Sequence, residues 1–392
     1  PAPRAPATVR GQRRLHARTP ARPRPWSLLA RPLTVYALSR LTALLAVAAG
    51  VAITGERTVL DALGAWDGQW YVQVATHGYP PLDPHTASAT VGDLAGNGAF
   101  FPLFPLTIRA TAQLTGLSIP VAAVAVPVVF GAAAAMLLWL LVRRLVGQQV
   151  ADRAVALFCF FPGSFVLSMA YAEAMMLTFA IACLWALLAR RWLTAGVAGA
   201  LATATRPNAI VLWLCCLWAA AAAIRRDREW RAVLAPLLAP LGMLGHLALL
   251  WARTGEPLAW FIVQRQGWNE PFDFGWRLAR RFGRLVGLAT PAADVGAFMV
   301  PAGVVFVIVA GVVLWRWRPP AELTIYTVGI VALAAIPPEL GPRPRFVFTA
   351  FPLIVALAWG TRGWLYQVLV GTSAALLPTF MVIYAVDVFA PP

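Results

Sequence analysis

The stretch PVAAVAVPVVFGAAAAMLLWLLV, residues 120–142, carries no ionisable side chain and stops at Arg143-Arg144. An unbroken apolar run of this length matches the ~20 helical residues that cross ~30 Å of hydrocarbon, whereas a membrane barrel strand alternates apolar and polar residues over roughly ten positions. It therefore reads as a spanning helix that ends at a charged boundary. Comparable runs recur at residues 32–54, 150–161, 165–189, 193–204, 209–224 and 233–251, and then near Val295, Leu323, Phe346 and Trp364. Of 392 residues 60% are hydrophobic and only 12% charged, and the mean hydropathy is +0.71, which excludes an ordinary soluble globule. The expectation is an all-α polytopic membrane protein with about eleven transmembrane helices.

The formal net charge of +16 is topology information and does not indicate a nucleic-acid partner. Every Lys or Arg position is arginine, and the excess sits in short breaks between apolar runs. Eight arginines from Arg4 to Arg31 precede the first span, so the positive-inside rule places a basic, Pro-rich arm (residues 1–31) in the cytoplasm, with one membrane domain over 32–392. The first run is long and reads as a retained span, not a cleaved leader. Arg190-Arg191, Arg225-Arg226-Asp227-Arg228, Arg316, Arg318 and Arg362 then fall on the same cytoplasmic side if residues 100–116 lie along the interface as a half-inserted helix. Two longer loops, about 55–119 and 253–291, face out, as does the C-terminus. The short runs at 150–161 and 193–204 both end on that outer side, where irregular backbone is tolerated only if it lines a protein cavity. Cys159, Cys183, Cys215 and Cys216 lie within apolar runs and read as small buried hydrophobes, with neither a disulfide framework nor metal spacing.

Chemistry-bearing residues gather on that predicted outer side. In Trp66-Asp67-Gly68-Gln69-Trp70-Tyr71 a carboxylate stands among aromatics, and helical spacing sets Asp67 about 100° away from a Leu63–Trp66–Trp70 stripe. The segment reads either as an interfacial helix with a solvated acid or as the seat of a base. His77-Gly78-Tyr79 and Asn97 through Phe101 bracket the rest of the loop, as surface and anchoring residues or as substrate contacts. Tyr171-Ala172-Glu173 puts an acid at the outer end of an apolar run, where an ionisable group costs ~3 kcal/mol and by default marks function. Arg206-Pro207-Asn208 and Arg343-Pro344-Arg345 place arginine outside, against the charge rule; the guanidinium fork suits phosphate oxygens, though an arginine at a helix end can also snorkel. Gln264, Arg265 and Trp268 open the second outer loop, and residues 276–285 form a basic amphipathic stretch suited to anionic headgroups. No G-x-x-x-x-G-K-[ST], D-x-D, G-x-S-x-G or H-E-x-x-H pattern occurs.

Taken in order, Trp66-Asp67-Gly68-Gln69, His77-Gly78-Tyr79, Phe100-Phe101-Pro102, Tyr171-Ala172-Glu173 and Arg206-Pro207-Asn208 resemble the PIG-V family of GPI-anchor mannosyltransferases and its bacterial relatives, within the GT-C superfamily. The resemblance spans about residues 31–351. It implies a GT-C type helix bundle with interfacial helices in the first extracytoplasmic loop. It also implies a polyprenyl-phosphate mannose donor, inverting transfer, and an acid at the Asp67 position acting as base.

On that footing Asp67 is the catalytic residue, and Arg343, Arg345, Arg206 and Arg265 are candidates to meet the donor phosphate. Glu173, His77 and Asn97 are expected to position sugar hydroxyls and Trp66 or Trp268 to stack on a ring. Gln69, Tyr79, Phe101, Tyr171, Asn208 and Gln264 complete the substrate-binding set. The partners are membrane lipid, polyprenyl phosphate and a glycolipid or glycan acceptor. No cofactor is indicated; a divalent cation between Asp67, Asp93 and Glu173 is open but has no ligand spacing behind it. A pentofuranose such as arabinose in place of mannose, or a lipid-carrier flippase, are the alternatives.

Overall fold

A computed structural model describes residues 25–81, 83–88, 90, 93–268, 295–335 and 343–386; the basic arm up to residue 24 and the amphipathic stretch 276–285 lie outside these described residues. The first half of the bundle comprises α1 (Pro25–Thr54), α2 (Val59–Leu63), α3 (Asp67–His77), α4 (Leu103–Thr115), α5 (Ile119–Val146), α6 (Gln148–Phe160), α7 (Glu173–Leu188), α8 (Trp192–Thr203) and α9 (Val211–Asp227). The second half adds α10 (Leu234–Leu238), α11 (Leu241–Thr254), α12 (Ala259–Gln266), α13 (Val295–Trp317), α14 (Ala321–Ala335), α15 (Pro344–Thr349), α16 (Pro352–Gly360) and α17 (Gly363–Ala385). No strand occurs among the described residues. Residues 30–54, α5, 207–227, 230–254 and α17 are each long and apolar enough to cross a bilayer, and shorter apolar helices fill the space between them. The protein is an all-helical integral membrane protein.

Every apolar run read from the sequence meets helix, but several helices are shorter than the runs. Run 165–189 becomes helical only at Glu173, because residues 162–167 form a 3-10 turn behind Pro162 and 168–172 are irregular. Run 233–251 is broken between α10 and α11, just before Pro240, and the run near Phe346 is broken between α15 and α16, just before Pro352. Each break adjoins a proline, which removes a backbone donor and crowds the preceding turn. Residues 103–115 form α4, whose inner face of Phe104, Ile108 and Ala112 packs on α5 while Leu106 and Leu114 stay exposed.

Helix direction sorts the charges. α5, α7, α9, α13 and α16 run away from the end where α3 and α15 begin and finish at the arginine clusters. At that basic end Arg31 pairs with Asp152 at 3.3 Å, Arg190 pairs with Asp227 and with Glu229, and Arg153 donates to the Thr361 carbonyl. The opposite end receives the last turns of α6 and α8 and the first turns of α3, α7 and α15. Between them lies a core built on Trp139, Phe158, Tyr326, Phe348 and Phe351, all essentially inaccessible.

Small residues let these short helices approach closely, the usual device where lipid supplies no hydrophobic drive between helices. At Gly242, on α11, a Cβ would overlap the Ala200 carbonyl and the Ala204 amide of α8 and the turn after it. Gly242→Val is expected to lower stability by about 1–3 kcal/mol, the range for overpacking a close contact, read as a drop in melting temperature of the detergent-purified protein; an unchanged melting temperature would contradict this packing.

Candidate active site

The acids of the first long loop divide by what holds them. Asp61 closes a capping box with Thr58 at the start of α2, its Oδ2 accepting from the Thr58 amide at 3.0 Å. Asp83 accepts from the His85 amide, and Asp93 from the amides of Ser88 and Ala95, so both shape 3-10 turns. Asp67 caps nothing in this way. It is the first residue of α3, where the helix dipole favours an anion. Before it Trp66 holds φ 52, ψ −117, a conformation that L residues rarely adopt and that persists only where surrounding contacts impose it. Trp66 packs edge-on against Tyr384 of α17, with ring centroids 5.4 Å apart.

Asp67 meets Arg345, 278 positions later in the chain: Arg345 Nη1 donates to Asp67 Oδ2 at 2.9 Å, and the two side chains are 8% and 17% exposed. The same guanidinium lies over the rings of Phe346 and Tyr171, 4.6 and 5.5 Å from their centroids. Arg206 Nη1 stands 3.0 Å from Glu173 Oε1, and Glu173 is completely buried. That contact is an ion pair without hydrogen-bond geometry, since neither atom has a hydrogen-bond partner. Burial opposes charge on Arg206, but Glu173, with Tyr71 and Asp67, outweighs it and holds the guanidinium pKa above the ordinary arginine value. Tyr71, whose phenol burial pushes up, lies within electrostatic reach of all four charged groups, so the two pairs form one network.

Many polar atoms around this network have no hydrogen-bond partner among the described residues. They include both carboxamide atoms of Asn97, the hydroxyls of Tyr171 and Tyr384, Nε of Arg206 and of Arg345, Oδ1 of Asn208 and both oxygens of Glu173. A buried donor or acceptor left unpaired costs ~1–3 kcal/mol, and native proteins keep few of them. A concentration of them at one end of a bundle describes a surface made to hydrogen-bond a ligand rich in hydroxyl or phosphate oxygens. Gln73 Oε1, His246 Nδ1 and Trp268 Nε1 are in the same condition.

The remaining predicted residues are spread around this centre. Tyr79 donates to the Phe100 carbonyl at 2.6 Å, and Phe101 is buried against His246 and Trp260. Trp268 packs edge-on against Trp70 and Phe100. Gln69 is exposed on the first turn of α3, and His77 is exposed at its far end, about 15 Å of helix from Asp67. Gln264 and Arg265 lie on α12, half-buried and exposed, apart from the ion-pair network. Arg343 caps the start of α15, within electrostatic reach of Tyr384. Asp93 is held in its turn, so Asp67, Asp93 and Glu173 do not converge; among the described residues no three His, Cys, Asp or Glu side chains form a metal-binding group. Tyr71 was read only as one of the aromatics around Asp67 and given no role, and Gln73 and Tyr384 were not singled out in the sequence; a tyrosine at the end of the last apolar run was the one signal for Tyr384.

Beside the network an apolar cavity of about 420 Å³ runs between α6, α13, α15, α16 and α17, lined by Leu157, Phe161, Phe306, Val347, Ile354 and Phe380. Pro344, between Arg343 and Arg345, forms part of its wall. The ion-pair network thus adjoins an apolar cavity through Pro344, the neighbour of Arg345.

Residues 27–224, half of the chain, match the family described as Mannosyltransferase (PIG-V). The chain belongs to that family. Membership bears out the resemblance read from the ordered motifs and makes the protein a membrane glycosyltransferase. Comparison with curated proteins gives no match. Among solved structures the chain is similar to ArnT from Cupriavidus metallidurans bound to undecaprenyl phosphate, at 13% identity and TM-score 0.48 over 81% of this chain and 70% of that one. It is also similar to the Archaeoglobus fulgidus oligosaccharyltransferase in the apo form, at 14% identity and TM-score 0.46 over 92% of this chain and 56% of that one.

If the 2.9 Å contact is a true pair, Asp67→Ala and Arg345→Ala should be non-additive: a double-mutant cycle in melting stability is expected to show a coupling of about 0.5–3 kcal/mol. Additive losses would mean the two side chains do not interact.

Proposed function

We propose that the protein transfers mannose from a polyprenyl-phosphate carrier to a hydroxyl of a lipid-linked or glycan acceptor on the extracytoplasmic face, inverting the anomeric carbon. The observation that carries this reading is the 2.9 Å contact of Arg345, a candidate phosphate ligand, with Asp67, a candidate base, one residue from the apolar cavity that Pro344 lines. The prenyl chain enters that cavity, and Pro344 brings the phosphate to Arg343 and Arg345. The acceptor oxygen attacks the anomeric carbon from the face opposite the phosphate. Its proton passes to a carboxylate oxygen of Asp67 as the new C–O bond forms and the sugar–phosphate C–O bond breaks. The bonding electrons leave with the phosphate oxygen, whose growing charge the guanidinium groups stabilise without protonation. Asn97, Glu173, Tyr171 and Asn208, with polar atoms still unpaired, take the sugar hydroxyls.

The ion pair also supplies an order of events. Without donor, Arg345 occupies Asp67; a phosphate competing for the same guanidinium frees the carboxylate to accept a proton. The base is therefore released when the leaving group is in place. The side of the membrane follows from charge: the arginine clusters lie at the opposite ends of the helices, and positive residues stay in the cytoplasm. A carrier that moves its substrate across the bilayer calls for unpaired polar groups along the bundle, but among the described residues they gather at one end, and Arg40, deeper in the bundle, is fully hydrogen-bonded.

Purified protein given labelled polyprenyl-phosphate mannose and a lipid acceptor extract tests the reading. Asp67→Asn is expected to reduce kcat by about 10²–10⁴, the usual contribution of a positioned general base, and the product anomer by NMR should be inverted. Wild-type turnover in Asp67→Asn would remove the base. Arg345→Ala is expected to lower kcat/KM for the donor, since it takes away charge stabilisation of the departing phosphate; unchanged donor use would remove the clamp.

A further inference from the structure

Arg40 lies within the first spanning helix and is 8% exposed. An arginine at such depth is costly even on insertion scales, so an acid should compensate it. None does: among the described residues its partners are all neutral. Nη1 donates to the Ser164 carbonyl at 2.7 Å and to Ser168 Oγ at 2.9 Å; Nη2 donates to the Cys159 carbonyl at 2.7 Å and to Ser164 Oγ at 3.0 Å; Nε reaches Ser39 Oγ at 3.3 Å. The ring of Tyr36 lies 5.5 Å from the guanidinium carbon. Four of these five bonds go to residues 159–168, where α6 stops short and the backbone turns through Pro162-Gly163 before α7. Breaking a helix inside a membrane frees carbonyls that need donors. Arg40 supplies them from another helix.

The irregular strip it pins, continued to residue 172, abuts the backbone next to Arg345 and next to Asp67 and leads into Glu173. A Cβ on Gly163 would overlap the Pro344 carbonyl, so the turn presses directly on the backbone between Arg343 and Arg345. The Ala170 amide donates to the Leu63 carbonyl at 2.9 Å, and a Cβ on Gly68 would stand 3.1 Å from the Ala170 Cβ, which sets the start of α3 and hence Asp67. Tyr171 lies under Arg345, and Glu173 opens α7. One irregular strip thus carries the base on one side, the phosphate cation on the other and two pocket residues at its end.

We infer that Arg40 is a positioning residue: by pinning the 159–168 turn it sets the distance between Asp67 and Arg345, and so the alignment of base and leaving group. It touches no reacting atom. The inference rests on the transferase reading for its kinetic consequence but not for its structural one, and the two are measured separately.

Hydrogen–deuterium exchange of the purified full chain reads the structural part. Arg40→Met is expected to speed exchange of amides 161–172 while those of α5 and α8 stay as in wild type. In the donor assay the kcat per folded molecule should fall by about 10², the loss that a misplacement of about 1 Å can cause, with donor KM little changed. Arg40→Lys keeps the charge but not the fork, and should recover only part of the rate. A role in fold stability alone would lower the folded fraction in every variant and leave the kcat of the folded molecules unchanged. If Arg40→Met does not fold, Ser164→Ala and Arg40→Lys carry the same two measurements, each with a smaller loss. Unaltered exchange over 161–172, or full kcat in the folded variants, overturns the inference. Absence of any transfer by wild type, with Asp67→Asn no different, defeats the transferase reading and leaves the exchange result to decide on Arg40.

Discussion

Two carboxylates and two guanidinium groups, nearly shut off from solvent and drawn from four separate parts of the chain, must neutralise one another or not be charged at all. Bringing such ions out of water costs several kcal/mol each, and their attraction returns that only when the geometry is good. Asp67–Arg345 meets the condition with a direct hydrogen bond, whereas Glu173–Arg206 has the distance without the direction. Apolar residues in these places would stabilise the fold at least as well. The network is therefore expensive for the fold and sensible only as a site, which is also what the unpaired amides and hydroxyls around it indicate.

The helices are cut to serve this end of the bundle. α6 and α8 are too short to cross a bilayer alone, and each gives way to a 3-10 turn that leads to a site residue, Tyr171 and Glu173 in one case and Asn208 in the other. α15 is a six-residue piece ahead of the longer α16, so Arg345 stands near the top of a broken span. Non-helical backbone at such depth survives because protein surrounds it: nearly all of residues 161–172 are buried, and Arg40 and Leu63 meet part of their hydrogen-bonding needs.

Much of this was legible in the residues. Continuous apolar runs establish helices, arginine bias orders the ends, and an acid in an apolar run at Glu173 declares itself by cost. The overly short runs at 150–161 and 193–204 point to cavity-lining backbone, and buried irregular segments stand at both ends. Pairing was not legible, because Asp67 and Arg345 lie 278 positions apart and nothing local couples them. Nor was the start of α7, since a 3-10 turn of apolar residues looks like helix until its carbonyls are seen to bond to Arg40. Arg40 itself could have been found by the reasoning that found Glu173: a charge within an apolar run needs a purpose. It was hidden by eight arginines just before it, which read together as a boundary.

The neutrality of the network also constrains the chemistry. With two acids against two cations the paired groups carry no surplus charge, so on the proposed mechanism a lipid phosphate gains the Arg345 guanidinium only by displacing a carboxylate. The carboxylate displaced from Arg345 is Asp67, and Asp67 then has one favourable course, to take up a proton. A polar acceptor beside it carries such a proton and a bare hydrocarbon neighbour does not. On the proposed mechanism, donor binding and base activation are thus one exchange of partners at Arg345, and the acceptor completes it. The same proposal accounts for the apolar cavity meeting the ion-pair network at Pro344: a residue with no backbone N–H to satisfy can separate hydrocarbon from ions without adding a polar group to either.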